Sequence, residues 1–293
     1  MTENASQFVG DIPENYDERL GPVIFEDYAS DIAERAAGLK PYRVLELAAG
    51  TGIVSRKLRD RLPTKASLVV TDLNQPMLEV ARKKFKAGEN IKFAVADAMK
   101  LNYPDTHFDL VVCQFGVMFF PDKQASFREV LRVLKPGGTY LFNVWGSWAE
   151  NPCMKVAHDT AAKYFPTDPP GFYRVPFSYP DPEVVTADIS AAGFPSCPVT
   201  PMPIEKKVTD WNAFAHGIVY GNPLRDEILS RGGVDPDDVV SSIARAFREN
   251  FSEEPTTMPL KATIYAAQKK QNFASGLFKH LMRPKLERSI RSV

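Results

Sequence analysis

The sequence predicts an α/β protein built on a mostly parallel sheet with helices on both faces. Three features predict it. Short apolar runs alternate with helix-period segments between residues 42 and 145. The first run opens through a loop without bulk, Ala48-Ala49-Gly50-Thr51-Gly52, into a helix. The next two runs close on carboxylates, Asp72 and Asp97, at the rim where parallel sheets present ligands.

In chain order, Pro22 opens a first helix with Phe25, Tyr28, Ile32 and Ala36 on one face, stopping at Gly38. Ahead of it, Ile12-Pro13-Glu14-Asn15-Tyr16-Asp17 reads as either an entry loop or a flap over a ligand. Strand one spans 42–47 and the helix after the glycine loop 53–62. Strand two spans 67–72. Asn74 caps the following helix, in which Met77, Ala81 and Phe85 share a face. Strand three runs 91–97. Strand four, 108–114, is nearly all apolar, as expected of a parallel strand buried on both faces. Asp122 caps a helix from about residue 123, Lys135-Pro136-Gly137-Gly138 stops it, and strand five is 139–145.

Composition narrows the function. With 293 residues, 44% hydrophobic, the chain is long enough for one large α/β domain with an insertion. Basic and acidic residues balance at 36 each, so no global field favours nucleic acid. Cys113, Cys153 and Cys197 are spaced neither as a disulfide framework nor as a zinc site, which suits a reducing cytoplasm. No apolar run approaches the ~20 residues of a membrane span, and residues 1–15 lack a signal-peptide core. Four histidines show no metal-ligand spacing, so no metal is expected.

The glycine loop departs from a phosphate grip. Ser55 stands where a dinucleotide fingerprint has its third glycine, no Gly-Lys-Ser/Thr follows, and Glu46 sits in the strand. Glu46-x-x-x-Gly50-x-Gly52, Asp72, Ala96-Asp97-Ala98, Phe108-Asp109-Leu110-Val111 and Leu134-Lys135-Pro136-Gly137-Gly138 together resemble the class I S-adenosylmethionine-dependent methyltransferases. The likeness covers residues 40–145 and is nearest the ubiquinone/menaquinone-methyltransferase-like group. It implies a Rossmann-like, seven-stranded, mostly parallel sheet with a lid insertion after strand five. It also implies S-adenosyl-L-methionine as cofactor: the glycine loop at its methionine part, Asp72 at the ribose hydroxyls, Asp97 at the adenine amino group. The expected cofactor-binding set is Tyr16, Glu46, Ala48, Gly50, Gly52, Asp72, Leu73, Met77, Asp97, Ala98 and Gln114.

The second half differs in texture. Prolines interleave with Phe165, Phe172, Tyr173, Phe177 and Tyr179 between residues 146 and 195, read as a lid over an aromatic pocket or a rigid connector. Helices start at Asn151-Pro152 and Asp181-Pro182. Strand six is 199–208, Thr209 and Asp235-Pro236 cap two more helices, and an antiparallel strand covers 260–267. The division expected is 1–39 flap and helix, 40–145 cofactor core, 146–195 lid, 196–270 remainder of the fold, and 271–293 a basic tail. The tail reads as a solvated terminal helix or as a contact for a membrane surface or partner.

The reading is methyl transfer to a small-molecule acceptor, chiefly by proximity. His158 or His216 would serve as a base for a hydroxyl acceptor, with Tyr164, Tyr173 and Tyr220 as alternatives. An NAD-dependent oxidoreductase, or a cofactor-binding protein without turnover, remains as an alternative. Neither the acceptor nor the oligomeric state follows from the sequence.

Overall fold

The computed structural model describes residues 7–271. Its centre is a seven-stranded sheet in the order β3-β2-β1-β4-β5-β7-β6. The strands are β1 (Arg43–Glu46), β2 (Ser67–Asp72), β3 (Ile91–Val95), β4 (Phe108–Gln114), β5 (Leu134–Trp145), β6 (Val199–Val208) and β7 (Thr256–Gln268). The first five pair in parallel, while β7 inserts antiparallel between β5 and β6. The order reverses between β1 and β4, which opens a crevice at their carboxyl ends.

Side-chain alternation divides the core into two layers. Val44, Leu68, Val70, Leu110, Val112 and Leu141 face the helices α2 (Glu26–Gly38) and α3 (Ile53–Arg61). Leu45, Phe108, Val111, Tyr140 and Phe142 face the other way, towards α5 (Lys123–Val133) and α7 (Pro182–Ala191). The remaining core helix, α4 (Gln75–Arg82), adds Leu78 to the first layer. A continuous apolar strand such as β4 is thus explained by burial on both faces.

Several expectations change. Residues 12–17, expected as an entry loop or a flap, are helical, and so is the stretch up to Phe25. They form a short helix α1 (Ile12–Asn15) continued by a π-helical segment, Tyr16–Phe25, that runs into α2. Pro22 sits inside that segment; its missing N–H and its ring suit a widened turn better than a regular one. The Lys135-Pro136-Gly137-Gly138 stretch belongs to β5 and carries a register shift against β4. Helix α4 ends before Phe85, whose ring lies against Phe93 with the Arg56 guanidinium 4.5 Å above it. Asp210 rather than Thr209 caps the helix after β6, accepting from the Ala213 N–H. The basic tail beyond Gln271 lies outside the described residues.

The remaining helices cover the carboxyl rim. They are α6 (Pro152–Ala162), α8 (Trp211–Tyr220), α9 (Leu224–Arg231) and α10 (Pro236–Phe251). Helix α9 was not expected from the sequence. Helix α10 packs on both α6 and α8, and α8 packs on the π-helical segment. Segments after β5 and after β6 thus pack on one another. Among the described residues no helix is long and apolar enough to cross a membrane.

Candidate active site

The loop after β1 is shaped by close packing. Gly52 has φ +80° at the start of α3, and a Cβ there would meet Ala81 Cβ at 2.8 Å. The Ala49 N–H donates to Thr71 O (2.9 Å) and the Gly50 N–H to Asp72 Oδ2 (2.9 Å). Asp72 Oδ1 accepts from the Asn74 N–H at 2.8 Å. The carboxylate of Asp72 thus clasps two loops while retaining lone pairs for a ligand. Its pKa is raised, because burial outweighs the hydrogen bonds from Asn74 and Gly50.

Around this loop lie three adjoining cavities. The first, about 930 Å³ with its open mouth included, brings together Tyr16, Ala48, Gly50, Asp72, Leu73, Met77, Asp97, Ala98 and Gln114. Leu73 is 56% exposed there, an apolar side chain left free for a flat ligand. Asp97 Oδ1 accepts from the Met99 N–H at 2.8 Å. The third expected acid, Glu46, borders a smaller cavity of about 330 Å³ together with Gly50, Thr51 and Gln114. Gly52 borders none of them; its place is the packing of α3 on α4.

Glu46 is 1% exposed, and its Oε2 has no hydrogen-bond partner among the described residues. Burial pushes its carboxyl up to about 8; the Asp72 carboxylate adds to the rise and the nearby Ser55 hydroxyl opposes it. Thr51 Oγ1, Ser55 Oγ and Gln114 Oε1 are likewise buried and unpartnered among the described residues. Four orphaned polar atoms around one loop are costly unless a polar ligand satisfies them. Three of them are acceptor-capable oxygens at the border of the 330 Å³ cavity, suited to an ammonium.

The third cavity, about 510 Å³, is walled by rings and aliphatic groups, among them Phe25, Phe115, Trp145, Phe172 and Phe177. Its lining contains no charged side chain. Tyr173 and Asn222 at its wall are already engaged. Tyr173 Oη donates to Ile218 O (2.9 Å) and accepts from Asn222 Nδ2 (2.8 Å).

The two histidines named as bases lie elsewhere. His158 stacks on Trp148, and His216 stacks on Tyr220; neither borders the three cavities. Burial lowers the pKa of both. Tyr164 is spent on Ser242 and Asp238, and Tyr220 on Asp237. Tyr173 alone of the five borders one of these three cavities. Among the described residues no group of three or more His, Cys, Asp or Glu side chains could hold a metal ion.

Sequence reasoning missed Phe8, Phe115, Phe119 and Thr51. The signal for Phe115 was its place directly after β4, beside the point where the strand order reverses.

A family model described as a methyltransferase domain matches residues 44–138. A ubiquinone/menaquinone biosynthesis C-methyltransferase (UbiE) of Ectopseudomonas mendocina is 35% identical over 173 residues, 54% of this chain and 67% of that protein. The chain belongs to the class I S-adenosylmethionine-dependent methyltransferases, in this UbiE-like group. The enzyme of the same name from Pseudomonas putida is 35% identical over 166 residues, 52% of this chain and 64% of that one. Against the Pseudomonas putida protein the methyltransferase thus spans a little under two thirds of its relative's length. Among solved structures, Haemonchus contortus phosphoethanolamine N-methyltransferase 2 in complex with S-adenosyl-L-methionine superposes with a TM-score of 0.59 at 19% identity. That likeness covers 92% of this chain and 59% of the other. The YcgJ protein of Bacillus subtilis gives 0.53 at 19%, covering 84% and 99%. The fold is shared with both. S-adenosylmethionine is the methyltransferase's cofactor, and the nicotinamide alternative falls with it.

Proposed function

We propose that this methyltransferase moves a methyl group to a small-molecule acceptor seated in the ring-walled cavity. One observation carries the reading: that uncharged cavity adjoins the cofactor cleft at Phe8, Tyr16, Phe115 and Phe119. The ligand's ammonium meets Glu46 and Gln114, whose buried oxygens lack other partners among the described residues. Asp72 accepts from the ribose hydroxyls, and Leu73, Met77, Asp97 and Ala98 border the adenine. Bound there, S-adenosylmethionine supplies an electrophilic methyl whose leaving group departs neutral. The chain's task is then to hold the acceptor and exclude water, and alignment alone can supply ~7–11 kcal/mol.

The names of the relatives point to quinone-type rings, and a wall of aromatic side chains suits a flat apolar acceptor. The cover formed by 146–195 together with α8–α10 acts as the lid. A formally neutral chain with free, dispersed cysteines suits a cytoplasmic enzyme without nucleic-acid partners. The test is transfer of labelled methyl to hydroquinones and simple phenols by the parent and by Met154→Trp. Met154 is buried in the cavity wall, so the larger ring fills the space. A higher acceptor KM with unchanged cofactor affinity is expected. An unchanged KM would move the acceptor elsewhere.

A further inference from the structure

The three cavities have little in common, and what they share is informative. Among the described residues only Tyr16 and Phe115 border all three. On the placement proposed above, the amino-acid end lies by Glu46, the nucleoside by Asp72 and the acceptor among the rings. The sulfur joins the first two and carries the methyl towards the third, so it must sit where the three meet. Among the described residues the charged side chains at these walls are Asp72 and Asp97 on the nucleoside side and Glu46 on the other, each bordering one cavity alone.

We infer that the faces of Phe115 and Tyr16 read the positive charge of the methyl donor, so that the site holds the sulfonium in preference to the neutral thioether left after transfer. A cation over an aromatic face within ~6 Å is attracted by the ring's quadrupole. The thioether, lacking the charge, gains only ordinary contact.

Both rings are held for such a task. Phe115 has φ +52°, a conformation a bulky residue keeps only where its surroundings impose it. Its N–H is directed at Asn143, with Oδ1 at 2.9 Å and O at 3.3 Å. The ring lies flat on Trp145, centroids 3.9 Å apart and planes 8° from parallel, with Tyr28 edge-on at 5.4 Å. Next to it, Gly116 clears a space in which a Cβ would meet Ala48 Cβ at 2.5 Å. Tyr16 is stacked on Phe25 at 4.9 Å and 24°. Burial, and then the nearby carboxylates of Asp72 and Asp17, raise the pKa of its hydroxyl and hold it protonated.

Calorimetry with S-adenosylmethionine and S-adenosylhomocysteine tests this without knowledge of the acceptor. Phe115→Leu keeps apolar contact but removes the π face, so the preference for S-adenosylmethionine over S-adenosylhomocysteine should fall about 3- to 30-fold. Tyr16→Leu should lower the same ratio while Tyr16→Phe preserves it, a pair that decides the matter even if Phe115→Leu fails to fold. A ratio unchanged in Tyr16→Leu and Phe115→Leu, or equal weakening of both ligands, overturns the inference alone. Binding of neither ligand by the parent would overturn the placement beneath it as well.

Discussion

Glu46→Gln should convert a pH-dependent cofactor site into a nearly pH-independent one. In the free enzyme the Glu46 carboxyl keeps its proton to about 8, raised by burial and then by Asp72, with Ser55 opposing. Cys113 is the other titratable group within its field, and its own thiol is pushed up to about 12. The unfolded chain binds that proton only to the ordinary 4.5. Between these values the folded state holds one more proton than the unfolded state. Stability therefore falls as pH rises from 4.5 to about 8, by about 1.4 kcal/mol per pH unit and at most about 5 kcal/mol in all. Glutamine carries no such penalty, so the variant should gain on the parent steadily through this window. Binding has the opposite sign. The ligand's ammonium favours the ionised carboxylate, so the parent must release close to one proton at pH 7. Its affinity should rise up to about tenfold per pH unit from 6 to 7.5, before the ligand's own α-amino group titrates near 8. At pH 7.5 Glu46→Gln should bind about 10- to 150-fold more weakly, the equivalent of a ~1.5–3 kcal/mol charged hydrogen bond. Calorimetry in buffers of different ionisation enthalpy reads affinity and proton release together. PH-independent affinity in the parent with no proton released would refute the reasoning.

Asp72→Ala should cost ~1.5–3 kcal/mol of cofactor affinity, read by the same calorimetry, because it also releases the Gly50 and Asn74 N–H groups that it clasps. His158→Ala and His216→Ala should each leave methyl transfer within a few-fold of the parent, since neither ring borders a cavity; a loss of about 10⁴-fold would restore a histidine base. Deleting residues 1–18 should lower the thermal midpoint as well as cofactor affinity, because it removes the buried Ile12 together with Tyr16. A truncated protein with an unaltered melting curve would make the segment an appendage.

The cofactor half was legible because its signals are local. The boundaries of β2 and β4 were read correctly from apolar runs bounded by polar residues, and Asp122 and Asp235 were recognisable caps that do accept the expected backbone N–H groups. The alternation of β4 between two core layers is invisible in so uniform a run, yet uniformity itself announced burial on both faces. Errors arose where tertiary packing overrides local preference. Pro22 looked like a helix start because it usually is one, and nothing nearby announced a widened helical turn around it. The aromatic residues of the second half gave no hint of which neighbours they would meet. Trp145 and Phe115 are 30 positions apart and touch only because β4 and β5 are paired. The histidines were singled out by chemistry alone, and the structure sets both away from the three cavities.

The position of the cover follows from strand direction rather than from lid sequence. β7 runs antiparallel to both neighbours, so β5 and β6 point the same way and both deliver the chain to the carboxyl rim. The segment after β6 returns at Thr256, opposite Val208 on that same rim. Two separate excursions therefore emerge on one rim, from β5 beside β4 and from the edge strand β6, and their helices α6 and α10 pack on each other. The N-terminal segment joins them through α8 and is pinned on both sides: Lys84 pairs with Asp17 at 2.5 Å on the core side, and Arg225 pairs with Asp11 on the side of the cover. Half-exposed pairs of this kind contribute ~0–1 kcal/mol each. The closure must rest instead on buried Ile12, Leu20 and Phe25, whose apolar area outweighs the ion pairs. The ring-walled cavity proposed for the acceptor thus shares Leu20 and Phe25 with the contacts that hold the cover down. A substitution that reshapes acceptor choice there will also alter how firmly the site closes, so specificity and closure are coupled through one set of rings.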